Sequence, residues 1–181
     1  MRIPDCVDVR DRAARRHRKD PELLRVVPEV EAAVGVVHSP VLGRLDVDAG
    51  RVIQFLEPIA GFPTCLRYAL LPYMQASGRE DPAIRWLQAM DPPFHTFIVA
   101  DPWSVAPDYA PEIADSDAEQ LDALSFTQAA LYGIMTVSQQ HGELTINLRA
   151  PLVVNPQIRL AKQVVLLNGE YTTSHRVCEL P

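Results

Sequence analysis

Residues 143–149 alternate without a break. Leu144, Ile146 and Leu148 fall on one side, Thr145, Asn147 and Arg149 on the other, which is the period of two that a half-buried β-strand requires. Just upstream, residues 129–137 are apolar on both faces, so this segment is expected to be a central strand. Residues 151–154 and 163–167 predict a last strand pair joined through Asn155-Pro156, completing a ladder over residues 128–167. Nearer the N-terminus, β-prone runs lie at 34–37, 42–47, 52–55, 67–71, 84–88 and 96–100, punctuated by Ser39-Pro40, Asp48-Ala49-Gly50, Glu57-Pro58 and Asp91-Pro92-Pro93. The run at 67–71 is expected to stop at Pro72, and residues 75–82 read as a loop.

One segment shifts to helical spacing. Ala118, Leu121 and Leu124 form an apolar stripe, and Ser116 with Glu119 three residues later has the spacing of a capping box, with Asp115 or Ser116 as the cap. Asp117, Glu119 and Asp122 are expected on the exposed side. Short strands in quick succession with a single helix between them predict a mainly β fold, a small antiparallel β-barrel or sandwich-like domain with one short helix. The expected division is a basic, flexible extension over residues 1–33 and one β domain over residues 34–181.

Sixteen prolines in 181 residues agree with short elements and frequent turns. No apolar stretch approaches the ~20 residues of a membrane helix. The charged N-terminus has no apolar core of a signal peptide, so a cytoplasmic protein with no membrane partner is expected. Cys6, Cys65 and Cys178 are far apart without CxxC spacing, and read as free thiols. Charge divides the chain more sharply. Residues 1–38 carry eight Lys/Arg against seven Asp/Glu, whereas residues 39–181 carry nine against sixteen. The acidic body argues against tracking a phosphate backbone and favours basic protein partners. Its most acidic run is Asp108, Glu112, Asp115, Asp117, Glu119 and Asp122, and no Lys or Arg occurs between Asp101 and Arg149. The extension, by contrast, concentrates Arg10, Arg12, Arg15, Arg16, Arg18 and Lys19 around His17.

Catalytic chemistry cannot be assembled from these residues. GxSxG, HExxH, P-loop and GxGxxG patterns are absent from the sequence. His38, His95, His141 and His175 stand apart without ligand spacing. The pairs Asp5/Asp8 and Asp115/Asp117 lack the apolar pocket that would separate an acid from a base. No catalytic residue, metal or cofactor is therefore expected.

Taken in order, several short motifs resemble the flagellar assembly factor FliW family over about residues 34–177. They are Ile53-Gln54-Phe55 with Ile59-Ala60-Gly61-Phe62, then Trp86-Leu87-Gln88 and Pro92, then Phe97-Ile98-Val99-Ala100-Asp101-Pro102 and Asp108-Tyr109. The longest run is Leu144-Thr145-Ile146-Asn147-Leu148-Arg149-Ala150-Pro151-Leu152-Val153-Val154-Asn155. It is followed by Arg159, Gln163-Val164-Val165-Leu166, Tyr171 and His175. The chain departs from the pattern at Pro58-Ile59-Ala60, where Gly-Leu-Pro is usual, and at Ala161 and Ser174.

The resemblance implies a small β-barrel-like protein that switches between partners in the cytoplasm. Such proteins bind newly made flagellin and, once it is exported, bind CsrA, an RNA-binding translational repressor, and relieve its block on flagellin mRNA. No direct nucleic-acid contact is implied. The acidic run 108–122 is the expected partner-binding surface, with a solvated helix face as its bland alternative, and exposed edge strands are a second surface. Phe55, Gly61, Phe62, Asn147, Pro151 and Asn155 match family positions and are expected to be structural: Gly61 and Asn155 in turns, Phe62 in the core, Pro151 at an edge. The competing reading is a nucleic-acid binder that uses the Arg-rich extension on a barrel scaffold.

Overall fold

The computed structural model describes residues 35–122, 129–138 and 142–179. The extension expected over residues 1–33 lies outside them, as do Leu124 and His141.

Eleven strands occur among the described residues. A hairpin of β1 (Gly35–Ser39) and β2 (Gly43–Val47) stands apart from a nine-stranded sheet. That sheet contains β3 (Val52–Phe55), β4 (Arg67–Met74), β5 (Glu80–Ala89), β6 (Thr96–Ala100), β7 (Ala130–Ser138), β8 (Glu143–Ile146), β9 (Leu152–Asn155), β10 (Leu160–Gln163) and β11 (His175–Glu179). Its order is β11-β8-β7-β6-β5-β4-β3-β10-β9, and a further β7–β9 pairing closes seven of the strands into a barrel. The single α-helix among the described residues, α1 (Asp115–Gln120), packs outside it. The mainly β barrel with one short helix agrees with the alternation in the sequence.

The barrel interior is one buried cluster to which every barrel strand contributes. Ile53 and Phe55 come from β3, Tyr68 from β4, Leu87 and Ala89 from β5, Val99 from β6, Leu152 and Val154 from β9, and Ala161 from β10, with β7 adding Tyr132 and Ile134. Alternate residues of the same strands, including Ile84, Ile98, Leu131, Met135 and Val153, face outward into a second cluster. That outer layer is completed by Tyr109, Ile113 and Leu121 from the α1 segment and by Leu144, Ile146, Leu148, Val164 and Leu166. A period of two with both faces apolar is what a barrel strand covered on both sides requires.

Strand β7 is central, as its two apolar faces predict. Met135 pairs with Ile98 of β6 and with Ile146 of β8, while Leu131 pairs with Val153 of β9. Gly133 permits this crowding: a Cβ there would lie 2.5 Å from Ile146 Cγ1 and 3.0 Å from the Asn147 carbonyl oxygen.

Several expectations need correction. Pro72 does not end its strand; β4 continues to Met74, with a register shift between Pro72 and Tyr73 that accommodates a residue lacking an N–H. The loop expected to run to residue 82 ends earlier, because β5 begins at Glu80. Antiparallel pairing holds along the sheet except at one seam, where β10 runs parallel to β3 with Leu160 opposite Gln54. The last strand pair is β9 with β10 at 160–163, not 163–167. Residues 164–166 lie outside any strand, and Val164 and Leu166 donate to the carbonyls of Pro151 and Arg149 instead. Strand β11, antiparallel to β8, has no counterpart among the strands expected from the sequence. Cys65 is a buried free thiol, whereas Cys178 is disulfide-bonded, so the free-thiol reading fails there.

Candidate functional site

The acidic run does not form one uniform face. Helix α1 takes Ala114 as its N-cap, with no side-chain hydrogen bond to the helix start, so neither Asp115 nor Ser116 caps it. Asp117 turns inward and is half-buried, its Oδ1 2.8 Å from Lys162 Nζ of β10. The same ammonium reaches Glu57 Oε1 at 3.2 Å and Gln120 Oε1 at 2.9 Å. Lys162 thus bridges α1 to the end of β3, and its pKa is raised, chiefly by the hydrogen bond to Asp117. Asp108, Glu112, Asp115, Glu119 and Asp122 remain exposed. Asp122 follows the helix with φ 49°, the left-handed conformation that often terminates helices.

Asn155 fastens the other end of α1. Its Nδ2 donates to the Leu121 carbonyl at 2.9 Å, while its Oδ1 accepts the Gln157 N–H at 3.0 Å. Upstream, an aromatic group holds the loop that leads into α1. The Tyr109 hydroxyl donates to the Leu148 carbonyl at 2.8 Å, Trp103 Nε1 donates to the Tyr109 carbonyl at 2.8 Å, and the Tyr109 and Tyr171 rings meet edge to face at 4.6 Å. Burial raises the Tyr109 pKa well above its ordinary value, so this hydroxyl remains a donor. Asn168 adds two bonds, accepting the Glu112 N–H and donating to the Ala110 carbonyl.

These bonds lay the segment 110–120 antiparallel along 162–168. Leu167 N–H donates to the Glu112 carbonyl at one end, and Lys162 meets Asp117 at the other. The 163–167 segment alternates: Val164 and Leu166 are buried at 1% and 2%, while Val165 and Leu167 are 62% and 65% exposed. Two large apolar side chains therefore stand in solvent beside Glu112. Covering both would contribute roughly 2–4 kcal/mol before the costs of association.

This stripe adjoins one mouth of the barrel. There β3, β7 and β10 end and β6 begins, and an open cleft of about 410 Å³ lies between Ile59, Phe62, Phe97, Ile134, Asn147 and Gln163. Barrel mouths are recurrent binding positions because side chains leave the axis unfilled there. Gly61, at φ 86°, makes the turn that brings Phe62 over the mouth, where its ring meets His95 and Phe97, each at 4.7 Å. Phe62 is thus a half-buried wall rather than a core residue. Gln163 joins cleft to stripe, accepting the Ala60 N–H at 2.9 Å and donating to the Ala150 carbonyl at 3.2 Å.

The other family-motif residues are placed as follows. Phe55 is 1% exposed inside the barrel, edge to face with Tyr68 at 5.0 Å. Asn147 Oδ1 accepts the Ala150 N–H at 2.9 Å and shapes the turn before Pro151. Pro151 is buried, its carbonyl accepting the Val164 N–H, so it is not at a sheet edge. Sequence reasoning passed over Val165, Leu167 and Lys162. The alternation at 163–167 was visible, but a strand inside a ladder hides both its edges, and only the departure of this segment from the sheet exposes its odd members. Among the described residues no group of three or more His, Cys, Asp or Glu side chains is arranged to hold a metal, and no helix is long and apolar enough to cross a membrane.

Comparison with known proteins returns one consistent result. A family model described as FliW protein matches residues 36–177. The flagellar assembly factor FliW of Geobacillus sp. (strain WCH70) is 36% identical over 135 residues, covering 75% of this chain and 90% of that protein. The FliW of Pseudothermotoga lettingae is 32% identical over 143 residues, covering 78% and 88%. A crystal structure of the flagellar assembly factor FliW superimposes with a TM-score of 0.69 at 32% identity, covering 80% of this chain and 97% of that one.

Proposed function

This chain belongs to the FliW protein family, and from that premise we propose that it is a flagellar assembly factor that works by binding other proteins in the cytoplasm. Its partners in this reading are flagellin, held before export, and CsrA, the translational repressor that it sequesters once flagellin has left. The observation that carries the reading is the family match over residues 36–177, with relatives that are each named as flagellar assembly factors.

The surface chemistry supports a binding role. The stripe of Val165 and Leu167 offers apolar area, the barrel-mouth cleft offers depth, and the exposed carboxylates of Asp108, Glu112, Asp115 and Glu119 offer charge to a basic partner. Complementary charge speeds encounter and sets register, while buried apolar groups supply most of the affinity. Amphipathic helical segments are well suited to such a surface.

The test is titration calorimetry of purified flagellin and purified CsrA into the full chain and into V165D/L167D. Both partners are expected to bind the natural chain, and the double substitution is expected to weaken at least one of them tenfold or more. Failure of both proteins to bind the natural chain would overturn the reading. Glu119→Lys is a better charge probe than Asp117→Lys, because Asp117 is engaged with Lys162 and its loss would disturb α1 itself.

A further inference from the structure

We infer that the apolar stripe of Val165 and Leu167, with its acidic border, is a docking site for the chain's own N-terminal segment, residues 8–27, which competes there with external partners. The competition rests on the function proposed above; the docking itself does not.

The site has two complementary parts. Val165 and Leu167 are more than half exposed, and Glu112 is bonded through its main chain to Leu167. Asp115 and Glu119 follow along the antiparallel strip, and Glu170 comes close on the other side, its Oε1 2.9 Å from Asn168 Nδ2. Among the described residues two cations reach the strip: Lys162, already engaged by Asp117, Glu57 and Gln120, and Arg149, whose guanidinium donates to the Asn168 carbonyl. Neither forms an ion pair with Glu112, Asp115, Glu119 or Glu170 among the described residues.

The N-terminal segment has the matching chemistry in the matching order. Six Lys/Arg and one Asp lie between Arg10 and Lys19, followed by Leu23, Leu24, Val26 and Val27. Its basic run suits the carboxylates, and its apolar run suits the two exposed side chains. The family match begins only at residue 36, so this segment is additional to the shared fold.

Geometry places the two within reach. The described chain begins at Gly35, where an added Cβ would lie 3.4 Å from Met90 Cε. Met90 follows β5, whose end lies at the same barrel mouth as the start of β6. The hairpin is fixed there by the 3.1 Å hydrogen bond between the Ser39 and Thr96 hydroxyls. The described chain thus begins beside the barrel end that carries the cleft and the stripe. Extended backbone covers ~3.3 Å per residue, so the stretch from Leu24 to Gly35 spans up to ~36 Å. A tether of this length holds its segment at an effective concentration on the order of millimolar, enough for a weak contact to persist.

The experiment uses the full chain at low salt and reads the methyl resonances of Val165 and Leu167. One variant replaces Arg12, Arg15, Arg16 and Arg18 with Glu; a second replaces Glu112, Asp115 and Glu119 with Lys; a third combines both sets. Each single set is expected to shift both residues' methyl resonances, 0.5 M NaCl should move the natural chain the same way, and the combined set should restore the natural positions. With external partners, the first variant should bind about two- to tenfold more tightly than the natural chain. Unchanged methyl resonances in the first variant would overturn the docking. Shifts confined to other surfaces would overturn it too, as would shifts that depend on protein concentration, which would assign the segment to a second copy. Absence of partner binding in every variant, with the methyl shifts present, would instead sink the proposed function and leave the docking standing.

Discussion

The interior of the barrel and the flank formed by residues 108–122 with 160–168 are held by different means. Inside, seven strands close on Phe55, Tyr68, Leu87, Val99 and Leu152, all nearly free of solvent, and the backbone bonds of the ladder are shared among many residues. The flank buries Tyr109, Ile113, Leu121, Val164 and Leu166 in the outer apolar layer, but its loops are positioned by a few single bonds: Asn155 to Leu121, Lys162 to Asp117, Asn168 to Glu112, Tyr109 to Leu148. Burial is non-directional and tolerant of small shifts, whereas each flank bond fixes one point of one loop. Stability is therefore concentrated in the barrel and its apolar outer layer, and the shape of the proposed binding surface is set by a handful of polar side chains.

The sharpest way to break this contrast is Phe55→Ala. Removing that ring from the sealed interior should cost about 3–5 kcal/mol, read as a large fall in the denaturation midpoint. Spectroscopic probes in the barrel and on the flank should report the loss together, since the flank rests on the barrel. A second substitution, Asn155→Ala, should cost about 1–3 kcal/mol by leaving a buried carbonyl without its donor. Here the two regions should separate: amide exchange should quicken across Asp115–Gln120 while β4 and β5 keep their protection.

Lys162 sharpens the contrast through pH. Its pKa lies above the ordinary 10.5, mainly through the Asp117 hydrogen bond, so its contribution is complete below that value and is lost as pH rises through the higher folded value. Thermal melts of the natural chain should thus lose stability more steeply above pH 10.5 than those of Lys162→Met. The smallest effect belongs to a surface pair on the barrel. Arg67 Nε lies 3.0 Å from Asp91 Oδ2 and lowers the Asp91 pKa, so that contribution is present above the ordinary 3.8 and disappears as pH falls through the lower folded value. Asp91→Asn should cost less than ~1 kcal/mol at neutral pH, and nothing measurable in high salt.

Much of the barrel was legible because a strand buried on both faces writes its environment into consecutive residues. The apolar run of β7 and the alternation through Leu144, Ile146 and Leu148 identified a central strand and its neighbour. Proline is a poor marker of strand boundaries in this chain. Pro72 sits at a bulge, a solution that depends on the partner strand and leaves no local signature. The flank was less legible for a related reason. Asp117 and Glu119 look alike in sequence, and only the arrival of Lys162 from β10, forty-odd positions away, makes one a buried partner and leaves the other at the surface. Nor could periodicity distinguish a strand inside the sheet from the 163–167 segment just beyond it. Both alternate, and their difference lies in which neighbours complete their hydrogen bonds.

The parallel seam between β3 and β10 has a consequence for how the molecule comes into being. It joins the first strand of the barrel to its last, with more than a hundred residues between Gln54 and Leu160. A chain leaving the ribosome can form the β3–β4–β5–β6 meander early, but it cannot seal the cylinder until β9 and β10 have emerged. The stripe at Val165 and Leu167 follows directly on that closing strand. The surface proposed to meet partners is thus assembled at the end of synthesis, and a nascent or truncated chain lacking the seam would present the acidic loop without the apolar half of its site.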